Sequence, residues 1–229
     1  VESWAECVNV NEKYLTVIKK QYSLQLPQVK IKRIATDKTV KFLLELSDGN
    51  LIESVLMHNK YGMSLCITSQ VGCNMGCSFC ASGLLGKKRD LMVGEFISQI
   101  MVANQYIKKN IASAKVVTNV VIMGIGEPFD NYENFKKAVT ILKEENGLAI
   151  ASRKITVSTS GLSPQIINFA NDNININLAI SLHSPNDEMR SKIMKVNKVY
   201  DIKNLMGAVD YYLERSNKRI TFEYILFKK

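Results

Sequence analysis

Three cysteines stand within eight residues, in the run Cys73-Asn74-Met75-Gly76-Cys77-Ser78-Phe79-Cys80. Thiolates are the usual ligands of iron–sulfur clusters, and three on one short loop can wrap a single cluster. Four irons need four ligands, so a C-x-x-x-C-x-x-C run leaves one iron open, and an open position is what catalysis requires. Three other readings compete. A structural zinc site would want a fourth ligand and C-x-x-C pairs, yet the chain has only two histidines, His58 and His183. An electron-transfer ferredoxin would want a fourth cysteine in the same run. Chance clustering of buried cysteines is the plainest alternative.

Further polar residues gather in short segments. Cys66-Ile67-Thr68-Ser69-Gln70-Val71-Gly72 leads into the cysteine run, and Met123-Gly124-Ile125-Gly126-Glu127-Pro128, Ser158-Thr159-Ser160-Gly161 and Ser181-Leu182-His183-Ser184-Pro185 follow it. Gly126 permits close backbone approach to a ligand, and Glu127 offers a carboxylate to an ammonium group. Taken singly, Gly126-Glu127-Pro128 also reads as a turn, Ser158 as a strand-end cap, His183 as a structural histidine and Glu53 as a solvated strand glutamate. Cys66 reads as a buried strand thiol and Cys7 as structural. The basic run Lys87-Lys88-Arg89, with Lys30, Lys32 and Arg33, either touches RNA phosphates or forms a solvated face.

These residues need elements to hold them. Asn11 to Gln25 has a helical rhythm. Val40–Leu46 and Leu51–Leu56 read as strands joined by a tight turn at Ser47-Asp48-Gly49-Asn50. Residues 1–60 therefore read as a small accessory module containing a β-hairpin. From 61 to 229 the pattern is strand, loop, helix, repeated, with strands at Met63–Thr68, Asn119–Met123, Lys154–Thr159, Asn175–Leu182 and Arg219–Phe227. Short aliphatic runs of this kind suit buried parallel strands. One helical face carries Val93, Phe96, Ile97, Ile100, Met101 and Ile107, and another Phe135, Ala138, Val139 and Leu142. Ser163-Pro164 opens a helix as N-cap and first-turn proline, and Asp201 caps the helix of Ile202, Leu205, Met206, Val209 and Leu213. Alternation of this kind implies right-handed βαβ units. The expected fold is α/β, a partial (β/α) barrel.

The 229 residues carry a net charge of +9, which suits a polyanionic partner as well as an ordinary basic surface. No stretch reaches the roughly 18 apolar residues of a membrane span. The start, Val1-Glu2-Ser3-Trp4, has neither a basic nor an apolar leader region. Five cysteines, an odd number, fit a reduced cytoplasm and a metal site better than a disulfide framework.

The run C-x-x-x-C-x-aromatic-C after the first strand of a βα series resembles the radical S-adenosylmethionine superfamily. With the segments around Cys66, Gly126-Glu127-Pro128, Ser158 and Ser181-Leu182-His183, the chain from about Lys38 onward is similar to the RlmN-type adenine-C-methyltransferase family. That resemblance implies a [4Fe-4S] cluster on Cys73, Cys77 and Cys80, with S-adenosylmethionine on the open iron. Phe79 would pack by the adenine, Gly126 and Glu127 would hold the methionine ammonium, and Ser158, Ser181, Leu182 and His183 would contact the rest. Glu53 would be the proton acceptor and Cys66 an auxiliary cysteine. The implied activity is methylation of carbon 2 of an adenine in 23S rRNA and tRNA by a cytoplasmic monomer with a donor such as flavodoxin. A disulfide is implied too, its cysteines unassigned. Pro128 favours carbon 2 over the carbon-8 methylation of the antibiotic-resistance relatives. A rival of another class is a non-enzymatic RNA-binding iron–sulfur protein. One departure stands out: the family's methyl-carrying cysteine lies near the C-terminus, and no cysteine follows Cys80. The expectation is that both ends are cut from a longer protein.

Overall fold

The computed structural model describes residues 4, 7–8, 10–24, 26–60, 62–111 and 116–226. Helix α1, Glu12–Gln21, is capped by Asn11, whose side chain accepts the Lys13 N–H. Strands β1 (Gln28–Ile34), β2 (Val40–Glu45) and β3 (Leu51–Asn59) form an antiparallel meander. Gly49, at φ +79°, makes the β2–β3 turn, and Asp48 accepts the Asn50 N–H within it. The basic residues Lys30, Lys32 and Arg33 thus lie on a strand that alternation had not marked, because both of its faces are exposed. Lys30 pairs with Glu45 and Lys32 lies over the Tyr106 ring.

Next come β4 (Gly62–Cys66), a two-residue ribbon of β5 (Gln70–Val71) with β6 (Arg89–Asp90), and helix α2 (Val93–Asn110). The βα series continues with β7 (Asn119–Ile122), α3 (Tyr132–Lys143), β8 (Ile155–Thr159), α4 (Ser163–Asn171), β9 (Asn177–Ser181), α5 (Asp187–Ile193), α6 (Ile202–Arg215) and β10 (Ile220–Glu223). Among the described residues eight strands form one sheet in the order β1-β2-β3-β4-β7-β8-β9-β10. β3 joins β4 antiparallel, and every later neighbour pair is parallel. The sheet passes from the hairpin strands into the parallel strands without a break. It is open: β1 and β10 are its edges, and no closed barrel forms among the described residues.

Alternation sorts the two faces. Ile52, Ser54 and Leu56 of β3 are buried while Glu53 and Val55 are half-open, and β8 repeats this with Ile155, Val157 and Thr159 against Thr156 and Ser158. The buried face meets α2, α3, α4 and α6 in one apolar core containing Phe96, Ile100, Phe135, Phe169 and Tyr212. A polar lock sits inside it. Ser54 donates to Oε1 of Gln99 at 2.7 Å, and the same oxygen accepts the Thr68 N–H at 2.9 Å, so α2 fixes the exit of β4.

Two local expectations change. Ser163 is the first residue of α4, and Leu162 is its N-cap with no side-chain cap. The Ser163 hydroxyl is buried without a partner, so Pro164 carries the helix start alone. β10 is shorter than Arg219–Phe227, and Phe227 lies outside the described residues. All five cysteines are free in this structure.

Candidate active site

The cysteine run occupies the loop between β5 and β6. That ribbon pinches the loop at its base, with Lys88 N–H donating to Val71 O at 2.7 Å and Leu91 N–H to Ser69 O at 3.2 Å. Gly72 sits at φ +78°, and a Cβ there would collide with the Gly86 carbonyl where the loop's two limbs cross. Asn74 accepts the Lys87 N–H at 2.8 Å. Farther along, the Ser78 N–H donates to Ile193 O at 2.9 Å, which ties the loop to α5.

This explains the basic run. Lys87 bridges Asp90 and Asp130, each at 2.8 Å. Arg89 spans Asp48 at 2.7 Å and Glu95 at 2.8 Å, and Lys88 reaches Asn50 at 3.3 Å. Hydrogen bonds from Arg89 hold the Asp48 carboxyl well below the usual range. Lys87 and Arg89 are therefore committed to carboxylates, while Lys88 stays exposed with the Asn50 amide oxygen beside it. The charges of Lys87 and Arg89 brace the cysteine loop against the β2–β3 turn, Asp130 and α2.

The Gly-Glu-Pro turn is built against the same loop. Ser69 N–H donates to Ile125 O at 2.9 Å, and the Gln70 side chain accepts the Glu127 N–H at 2.9 Å while donating to Asp90 and Asp130. Gly126, at φ +104°, lies so close that a Cβ would meet Gln70 Cβ at 2.6 Å. The Glu127 carboxylate turns inward: Oε1 accepts the Phe129 N–H at 3.0 Å and Oε2 the Ser160 N–H at 2.7 Å. Burial pushes its pKa up and those two donors offset part of the rise. The carboxylate thus joins the ends of β7 and β8.

At the ends of β8, β9 and β10 one residue organises the others. Ser158 Oγ donates to Oε2 of Glu223 at 2.6 Å and Ser181 Oγ to the same oxygen at 3.1 Å. The Glu223 carbonyl accepts the Leu182 and His183 N–H groups at 3.1 and 3.2 Å. His183 has φ +56°, costly for a residue with a Cβ. Its ring meets Phe79 edge-to-face at 4.9 Å between centroids, so the cysteine loop touches the end of β9. Burial holds the His183 pKa below 6.5. Sequence reading missed Glu223; the signal was an acid in the apolar run Ile220-Thr221-Phe222. It also missed Arg190, wholly buried on α5, whose short helix carried no periodicity.

Glu53 and Cys66 lie on the half-open sheet face with Ser158, Ser181 and Glu223, as strand register requires: Val55 pairs with Cys66, Cys66 with Val121 and Val121 with Thr156. Glu53 stands two residues from Val55 on the same face and pairs with Lys41 at 2.7 Å. The structure brings Cys73, Cys77, Cys80, Phe79 and His183 together on one side, and Glu127, Ser158, Ser181 and Glu223 along the strand ends. Cys66 ends β4 where the chain turns toward the cysteine loop, and the Glu53 carbonyl accepts the Thr68 hydroxyl there at 2.6 Å.

The three thiols suit a cluster. Burial, together with the charges of Cys73 and Cys80, pushes Cys77 up to about 11, and burial raises Cys73 as well. The three therefore feel one another across one cradle. Among the described residues no three such groups converge tightly enough for a single ion.

Residues 67–229 match the profile of the Radical SAM superfamily. A probable dual-specificity RNA methyltransferase RlmN of Shouchella clausii is 50% identical over 228 residues, covering 100% of this chain and 64% of that protein. The protein of the same description in Listeria monocytogenes serotype 4a is 49% identical over 228 residues, with 62% of its length covered. The chain thus spans less than two thirds of these relatives. A crystal structure of a radical SAM methyltransferase from Sphaerobacter thermophilus superposes with a TM-score of 0.91 at 36% identity, covering 99% of this chain and 66% of that one. With three free thiols on a braced loop at the strand ends, and with that profile running from Ile67 onward, the chain belongs to the radical SAM superfamily.

Proposed function

We propose that this chain is the core of a radical S-adenosylmethionine RNA methyltransferase that modifies carbon 2 of an adenine in 23S rRNA and tRNA. The observation that carries the reading is the joining of two sites. Phe79 of the cysteine loop packs on His183, and His183 hangs from the same Glu223 that holds Ser158 and Ser181. A ligand seated on those serines therefore lies beside the cluster cradle. Similarity to RNA methyltransferases over the whole chain supplies the substrate class.

Cys73, Cys77 and Cys80 would hold the cluster, which when bound supplies one electron for cleavage of S-adenosylmethionine to a 5′-deoxyadenosyl radical. The chain's own residues do the rest. Glu127 locks the β7 and β8 ends at fixed separation. Ser158 and Ser181 present hydroxyls whose protons are committed to Glu223, leaving oxygen lone pairs toward the ligand. Phe79 offers an aromatic face for adenine. Glu53, half-open beside Lys41, accepts the proton that the substrate carbon must lose when the product aromatises. An electrophilic sp² carbon resists plain methyl transfer, which is why a radical route is needed. Cys66 is an auxiliary thiol on the same face. Among the described residues no helix is long and apolar enough to cross a membrane, in keeping with a cytoplasmic enzyme, a monomer served by a donor such as flavodoxin.

The test is the full-length gene product, reconstituted and reduced, incubated with methyl-labelled S-adenosylmethionine and with 23S rRNA or tRNA. Label mapped to carbon 2 of adenine supports the reading. Label at carbon 8, or none in either RNA from a protein that cleaves S-adenosylmethionine, refutes it.

A further inference from the structure

Arg190 is 0% exposed, the largest fully buried side chain of the described residues. Its guanidinium donates only to neutral oxygens: Leu182 O at 3.1 Å, Asn197 Oδ1 at 2.8 Å, Ser160 O at 2.7 Å and Ser181 O at 3.0 Å. These bonds satisfy its donors but not its charge. A buried cation without an anion is costly and calls for a partner. Leu182, which accepts from the guanidinium, precedes His183, whose ring meets Phe79 of the cysteine loop at 4.9 Å. Asp187 lies at the surface and spends its oxygen on Asn197 and the Ile202 N–H.

α5 is also where the cysteine loop docks. Ser78 N–H bonds Ile193 O, and a Cβ on Gly76 would meet Lys195 Cδ at 2.9 Å. The loop and the buried cation therefore share one wall. A cluster on three thiolates carries net negative charge, and reduction adds one more. A fixed cation in a water-poor wall stabilises the reduced form preferentially, because Coulomb energy grows as the effective dielectric falls. Cluster potentials respond to nearby charge and solvent access in this way.

We propose that Arg190 is the built-in counter-ion of the cluster, a positioning residue that raises the cluster's reduction potential while tying the ends of β8 and β9 to the loop. The step it biases is one electron entering the cluster from the reductant, with no atom transferred. This rests on the cluster reading above.

The test uses this chain, reconstituted anaerobically with iron and sulfide and titrated with dithionite while the paramagnetic reduced cluster is counted by electron spin resonance. Arg190→Gln keeps polar atoms and removes the charge; Arg190→Lys keeps the charge and loses part of the fork. R190Q should disfavour reduction at least tenfold, a drop of 59 mV or more for a one-electron couple, while R190K stays within threefold of the parent. An unmoved or raised potential in R190Q, or an equal drop in both variants, overturns the proposal. Should R190Q fail to fold, Asn197→Leu removes the one side-chain oxygen bonded to the guanidinium and keeps its charge. The proposal then requires an unchanged potential, and a tenfold shift overturns it. A parent chain that takes up no iron refutes the cluster reading instead.

Discussion

At the scale of single residues, Glu127 and His183 are each fixed by their neighbours, Glu127 through its carboxylate and His183 at φ +56°. Both oxygens of Glu127 accept backbone N–H groups in a fully buried site. Glu127→Gln turns an NH₂ toward one of those donors and leaves it unsatisfied. We expect a loss of about 1–3 kcal/mol in urea unfolding, together with about tenfold weaker S-adenosylmethionine binding by calorimetry. Unchanged unfolding would mean that the amide finds another partner. His183 sets a pH dependence. Its folded pKa is held below 6.5 by burial, so the unfolded chain binds the proton first as pH falls. Stability therefore rises with pH through the window from the folded value up to about 6.5 and then levels. In the cluster-free chain His183→Gln should remove that slope, and a slope persisting in the variant would assign it elsewhere. Neither environment was legible in the sequence. Gly126-Glu127-Pro128 and Ser181-Leu182-His183 were marked as site segments, but a linear pattern does not say which way a carboxylate turns.

At the scale of elements, the strand ends act as a unit because Glu223 on β10 gathers Ser158 on β8 and Ser181 on β9. Glu223→Ala frees both hydroxyls. S-adenosylmethionine affinity should fall about tenfold, the size of one or two charge-assisted hydrogen bonds, while iron content stays unchanged. A loss of iron instead would place Glu223 in the cluster cradle. The loop has its own weak point at Gly72, where a Cβ meets the Gly86 carbonyl. Gly72→Ala should spread the β5–β6 limbs and cut iron loading at least severalfold with the thiols intact; normal loading would show that the limbs can part freely. The strands β2, β3, β4, β7, β8 and β9 were readable from aliphatic runs and turns. β1 was not, since no face of it is buried, and α5 was too short to show a period. In the basic run Lys87-Lys88-Arg89, sequence shows charge but not the Asp48, Asp90, Glu95 and Asp130 carboxylates that pair with Lys87 and Arg89.

At the scale of the whole molecule, one face of the sheet is sealed by helices and the other is half-open along a line from Glu53 and Cys66 to Ser158, Ser181 and Glu223. The cysteine loop stands at the end of that line, against His183. The central claim is that these parts form one radical site. It is tested most directly by giving S-adenosylmethionine to the anaerobically reconstituted, dithionite-reduced chain and measuring release of 5′-deoxyadenosine, with Cys77→Ala in parallel. The account predicts brown, iron-bearing protein that releases 5′-deoxyadenosine, and a variant that holds little iron and releases none. A C77A chain that keeps its iron and cleaves S-adenosylmethionine as the parent does would contradict it.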